Sequence, residues 1–137
     1  MKFLLDANAV IALLRADPAM LTKLRRHAPG DFAIPAVVAH ELYYGGFKSL
    51  RTDEHLARLD ALQIEVLEFD KEDARRSGEV RARLAVAGTP IGPYDVLIAG
   101  QALARNLVLI THNTREFRRV PGLEFEDWEA DGGEPTT

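Results

Sequence analysis

Three acids stand in apolar surroundings. Asp6 follows Phe3-Leu4-Leu5, Glu41 interrupts Val37-Val38-Ala39-His40-Glu41-Leu42-Tyr43, and Asp95 precedes Val96-Leu97-Ile98-Ala99. A carboxylate turned toward hydrocarbon is costly unless it is paired or binds a metal. None of the three has a Lys or Arg one turn away on its own helix to neutralise it. Acids this far apart in sequence are tolerated together if they meet around a divalent cation, and such a centre suits phosphodiester cleavage. Two of them also have a plainer reading. Asp6 fits a helix N-cap, and an acid in a helix's first turn, as at Asp95, is favoured by the dipole. Glu41 resists that explanation, because Val37 and Val38 share its face. Ile98, Ala99 and Ala102 likewise share the face of Asp95, and Pro90-Ile91-Gly92-Pro93 fixes the entry to its helix.

Other chemistries find little support. The 137 residues include no cysteine, which excludes disulfides, thiolate zinc sites and a thiol nucleophile. His27, His40, His55 and His112 make no metal-binding spacing, and HExxH, GxSxG, Walker A and GxGxxG are all absent. Glu79 lies four residues from both Arg75 and Arg83 and reads as a salt-bridge ladder. Asp53, Glu54, Asp60, Glu72 and Asp73 fall on charged helical surface. A net charge of -4 neither announces nor excludes a polyanionic partner, which needs only a local basic patch. The apolar run at residues 9–14 is far shorter than the about 20 residues that span a bilayer, so a cytoplasmic protein is expected.

The elements that must position the acids alternate. Strands are expected at 2–5, 32–34, 64–67 and 107–110, with an edge strand at 123–126. Helices are expected at 8–15, from Pro18 to about His27, from Ala36 to Gly45-Gly46, at 51–62, at 70–87 with Gly88 as its stop, and from Pro93 to Arg105 with Asn106 as its stop. This alternation predicts a three-layer α/β/α fold around a central, mostly parallel sheet. Residues 1–128 read as one domain and residues 129–137 as a disordered tail. Ligands of such sheets bind beyond the carboxyl ends of strands, near a switch in strand order. Asp6, His112 and Asn113 lie at such ends.

The segments Leu4-Leu5-Asp6-Ala7-Asn8, His40-Glu41-Leu42-Tyr43-Tyr44-Gly45 and Pro90 to Ala99 resemble a PIN domain. The last of these, together with Thr111-His112-Asn113-Thr114-Arg115-Glu116-Phe117, Val120-Pro121-Gly122-Leu123 and Glu126-Asp127-Trp128, resembles its VapC branch, the ribonuclease toxins of bacterial toxin–antitoxin pairs. The resemblance runs in consistent order over residues 2–128. It implies an endoribonuclease that hydrolyses RNA phosphodiester bonds with metal-activated water and leaves 5′-phosphate and 3′-hydroxyl ends. Asp6, Glu41 and Asp95 would hold Mg²⁺, with Mn²⁺ able to substitute. Many members carry a fourth acid after the last core strand. Asn113 is the best match here, with Glu116 three residues on, so Asn113 joins the catalytic set as a residue that orients water without adding charge. A cognate antitoxin and a homodimer are implied as well, the dimer burying part of Val10, Ile11, Leu13 and Leu14. Arg15, Lys48, Arg115 and Arg118 are candidates to hold the RNA backbone.

Two other readings compete. One is a catalytically weak PIN-fold module that only binds a partner protein. The other is a different metal-dependent phosphoesterase, such as a haloacid-dehalogenase-like phosphatase. That class normally needs a second Asp two residues after the first, where this chain has Asn8.

Overall fold

The computed structural model of the chain describes residues 1–129. Of the tail expected at 129–137, residues 130–137 lie outside the described residues. Glu129, counted with that tail from sequence, is buried against the body of the protein.

Short apolar segments build the sheet. Strands β1 (Phe3–Leu5), β2 (Phe32–Pro35), β3 (Glu65–Leu67), β4 (Val108–Ile110) and β5 (Phe125–Glu126) pair in the order β3-β2-β1-β4-β5. All four pairings are parallel. Every residue of β1 and β2 is buried, as expected of strands covered by helices on both faces. The covering helices are α1 (Ala7–Leu14), α2 (Pro18–Leu24), α3 (Ala36–Lys48), α4 (Thr52–Ala61), α5 (Lys71–Ala87), α6 (Pro93–Arg105) and the short α7 (Thr114–Phe117). Sequence signals did not foresee α7, nor the 3-10 turn at Pro29–Asp31.

Local chemistry explains several helix boundaries. Asp6 caps α1, Asp17 caps α2 ahead of Pro18, and Asp70 caps α5. Gly88 and Asn106 end α5 and α6 in left-handed conformations, with φ of 75° and 58°. Helix α3 departs from expectation by running through Gly45-Gly46 to Lys48. Gly46 is buried there, and a Cβ on it would meet Leu56 Cδ2 at 3.0 Å. It therefore serves the approach of α4 rather than a helix stop. A Cβ on Gly100 would likewise collide with Ser77, so α5 and α6 pack closely because residue 100 has no side chain.

Two charged residues differ from the sequence reading. Asp73 is fully buried rather than part of the charged surface. It closes a capping box with Asp70, which turns its carboxylate toward α6, where Arg105 and Gln101 bond it. Glu79 pairs with Arg76 and Arg83, each at 3.5 Å, rather than with Arg75.

The chain lays β2 and β3 on one side of β1 and then crosses to place β4 and β5 on the other. Strand order thus reverses between β1 and β4. The carboxyl ends of these two strands meet where the Asp6 N–H donates to the Ile110 carbonyl at 3.2 Å. A crevice at this point is where open α/β sheets bind ligands.

Candidate active site

Asp6 is the first residue beyond β1. Its carboxylate accepts the Ala9 N–H at 2.9 Å, so it does cap α1. It is also only 5% exposed and hydrogen-bonds the Thr111 hydroxyl just beyond β4. Burial, with repulsion from Glu41 and Asp127, outweighs those bonds and pushes its pKa from 3.8 up to about 6. Thr111 is itself buried and held in place, its Oγ1 accepting the Asn113 N–H at 2.9 Å.

Glu41 follows β2 on α3 and is half-buried. Burial lifts its carboxyl above the ordinary range, against the opposing influence of His40. Asp95 sits in the first turn of α6. Burial raises its pKa most, followed by a hydrogen bond and repulsion from Glu116 and then by repulsion from Asp6 and Glu41, reaching about 7. These mutual repulsions draw Asp6, Glu41, Asp95 and Glu116 into one group. Asp95 and Glu116 within hydrogen-bonding reach need a proton between them, or a cation in its place.

Glu116 is the residue that sequence reasoning left without a role. It enters on α7, and its Oε1 accepts the Gly92 N–H at 3.2 Å. Arg119, one turn on, donates to the Pro90 carbonyl at 2.9 Å, so α7 is tied twice to the loop before α6. A Cβ on Gly92 would lie 3.3 Å from Asp95 Oδ2 and 3.9 Å from Glu116 Oε1. Glycine at 92 leaves room for the two acids to meet. Asn113 stands at the N-cap of α7, half-buried, and its side chain makes no capping bond. Its hydrogen bond to Thr111 comes from its backbone. In this quarter of the site the added carboxylate is Glu116.

Among the described residues, Asp6, Glu41, Asp95 and Glu116 take part in no ion pair. Hard oxygen donors, with the carboxyl pKa raised at Asp6, Glu41 and Asp95 and no ion-pair partner for any of the four among the described residues, fit a divalent ion of the Mg²⁺ class. A second cluster adjoins them. His112, Asp127 and Glu129 offer ligand atoms all within 4.8 Å of one another, and His112 Nδ1 is 3.0 Å from Asp127 Oδ2. Histidine spacing alone could not reveal it, because both acids arrive from beyond β5.

The basic candidates are dispersed. Arg15 lies 3.8 Å from Glu129, Arg118 bonds the Thr114 carbonyl at 3.4 Å, Arg115 is exposed, and Lys48 lies over the Tyr44 ring. Of the apolar residues of α1, Val10 belongs to the core, Leu13 and Leu14 are half-buried, and Ile11 is exposed. Ile11 and Leu14 line a groove of about 340 Å³ with Leu42 and Leu59, and Glu41 is also among its lining residues.

Comparison with known proteins agrees with this fold. The PIN domain family matches residues 3–123. The tRNA(fMet)-specific endonuclease VapC of Salmonella typhimurium is 40% identical over 130 residues, which cover 93% of this chain and 98% of the relative. The crystal structure of DNA-bound VapBC from Salmonella typhimurium superposes with a TM-score of 0.89 at 39% identity, covering 93% of this chain and 98% of the other. VapBC2 from Rickettsia felis, bound to a DNA fragment from its promoter, gives 0.87 at 30% identity, covering 94% and 100%. The chain belongs to the PIN-domain family, in its VapC branch.

Proposed function

We propose that this chain is a metal-dependent endoribonuclease, the toxin of a toxin–antitoxin pair, acting on RNA with Mg²⁺ or, in its place, Mn²⁺. The observation that carries the reading is the group Asp6, Glu41, Asp95 and Glu116, which gathers at the strand-order reversal with no ion pair to neutralise it among the described residues. Family membership sets the haloacid-dehalogenase-like alternative aside.

Asp6 and Asp95 would hold the ion, with Glu41 as a further ligand. Such a cation would supply charge that polarises a phosphate oxygen and eases the loss of a proton from water. Thr111 fixes the rotamer of Asp6, as the Gly92–Glu116 contact fixes the neighbourhood of Asp95. Glu41, with its raised carboxyl, accepts the proton of the attacking water, and Asn113 orients that water. The ribose hydroxyl takes no part, so the products carry 5′-phosphate and 3′-hydroxyl ends.

The Salmonella relative is named for action on tRNA(fMet), which makes a tRNA the first substrate to try. The VapBC structures are toxin–antitoxin complexes, and the apolar groove beside Glu41 suits an antitoxin segment that would cover the site. A homodimer and a cytoplasmic location complete the proposal. Among the described residues, no helix is long and apolar enough to cross a membrane.

The test is a gel of labelled single-stranded RNA and total RNA with antitoxin-free protein, in Mg²⁺, Mn²⁺ and EDTA lanes beside Asp6→Asn. Metal-dependent cutting that the variant lacks is expected. No cutting in any lane would favour the protein-binding module, and equal cutting by the variant would remove the catalytic assignment.

A further inference from the structure

Two aromatic side chains stand next in sequence to two of the site acids. His40 precedes Glu41 and Tyr94 precedes Asp95. Their rings meet edge to face, with centroids 5.6 Å apart and planes at 78°. One turn along α3, Tyr44 is 60% exposed, and one turn further the Lys48 Nζ lies 5.1 Å from its ring centroid. His40, Tyr44 and Lys48 fall at intervals of four residues and so form one stripe leading away from the acids, with Tyr94, 44% exposed, at its head. Core packing does not account for rings so open to solvent.

Exposed π faces in series, ending in a cation, are the combination that binds single-stranded nucleic acid through base stacking and phosphate contact. The charge pattern agrees. Lys48 supplies the positive end, and the acids at the other end become hospitable to phosphate once a divalent ion offsets them. We propose that His40, Tyr94 and Tyr44 form a stacking track for the unpaired bases flanking the scissile phosphate, with Lys48 on the backbone beyond them. The inference rests on the ribonuclease reading and adds that the substrate is an RNA whose bases at the cut are splayed out of any helix.

The test uses the full chain, free of antitoxin. Wild-type cutting first locates the cleaved bond in a labelled single-stranded RNA. Binding is then read by fluorescence anisotropy in Ca²⁺, for that RNA and for versions with abasic residues on either side of the bond. Tyr94→Leu and Tyr44→Leu are expected to weaken binding by roughly 5- to 150-fold, the range for losing one stacked base. Tyr94→Phe and Tyr44→Phe keep the ring and are expected to stay within about two-fold. Abasic RNA should cost the wild type a similar factor and cost the Leu variants little more, as coupled partners do. Leu variants that bind intact RNA like the wild type would overturn the track. So would Leu variants that still lose the full abasic factor, with sedimentation showing a dimer turned into monomer, because the stripe would then be a contact between copies of the chain. A wild type that neither binds nor cuts RNA overturns the ribonuclease reading and the track with it, before any variant is compared.

Discussion

Helix α6 carries partly buried charge at both ends, arranged in opposite ways. Near its C-terminus, Arg105 donates two hydrogen bonds to Asp73, at 3.1 and 2.9 Å, and Gln101 adds a third at 3.0 Å. At its N-terminus, Asp95 faces Glu116, Asp6 and Glu41. Burial raises the carboxyl pKa in both places. At Asp73 the bonds from Arg105, Asp70 and Gln101 overcome it and hold the acid below the ordinary range. At Asp95 the neighbours are acids, and the pKa climbs to about 7. The sign of the partner separates a structural ion pair from a site. The first is satisfied within the chain, whereas the second is the one proposed to take a cation from outside.

The largest effect expected of this contrast is on catalysis. Asp95→Asn should lower RNA cleavage on the order of 10³-fold, the scale of losing a group that stabilises transition-state charge, while thermal stability without metal holds or rises. Single-turnover cleavage and a melting curve on the same preparation read both. A variant with near-normal cleavage breaks the comparison at its functional end.

The structural end is tested by Arg105→Ala. Removing the partner of a buried carboxylate should destabilise the fold by about 3 kcal/mol, the lower part of the range for such pairs because Arg105 is partly exposed. Urea unfolding measures it, and cleavage per folded molecule should be unchanged. A loss of activity at full stability would show that the two ends of α6 are not independent.

A pH series sharpens the contrast further. Asp6 has a folded pKa of about 6, above its ordinary 3.8. Its contribution to stability is therefore fully present below pH 3.8 and is lost as pH rises through about 6. Asp73 has a lowered pKa and contributes in the opposite sense, with stability present above the ordinary value and lost as pH falls. Asp6→Asn removes the first effect and leaves the second untouched, and it keeps the α1 cap, since Asn also caps helices well. Without metal, the variant's stability relative to wild type should rise by roughly 2 kcal/mol between pH 4 and pH 8. Chemical denaturation at a set of pH values reads the gap, and a flat gap would mean that Asp6 is not held in the strained state described.

The smallest effect is expected at the outer ring of the site. Glu116→Gln relieves repulsion on Asp95 and removes one carboxylate, so Mn²⁺ binding should weaken by about 10-fold, the lower end for groups that orient ligands. Calorimetric titration with Mn²⁺ measures it. A loss as large as that of Asp95→Asn would promote Glu116 to a ligand in its own right.

The sequence already spelled out most of the frame. Apolar runs marked the strands, and Gly88, Pro93 and Asn106 marked helix limits, because steric limits on the backbone act locally. Asp6, Glu41 and Asp95 stood out as candidates for a related reason, since an acid inside an apolar pattern contradicts its surroundings. Gly46 was misread as a stop because its purpose is contact with Leu56, ten residues away on another helix. Asp73 looked like a surface acid because its partner, Arg105, lies on the next helix. Asp127 and Glu116 gained meaning only from pairings distant in sequence, with His112 and with Gly92. Local rules reach one helical turn, and these contacts lie beyond it.

The most direct test is a crystal grown with Mn²⁺ at about pH 7.5, above the raised carboxyl pKa values, with anomalous data collected at the manganese edge. The account predicts a peak bounded by Asp6 and Asp95, with Glu41 close by. No peak there, or a peak only at His112, Asp127 and Glu129, would contradict it.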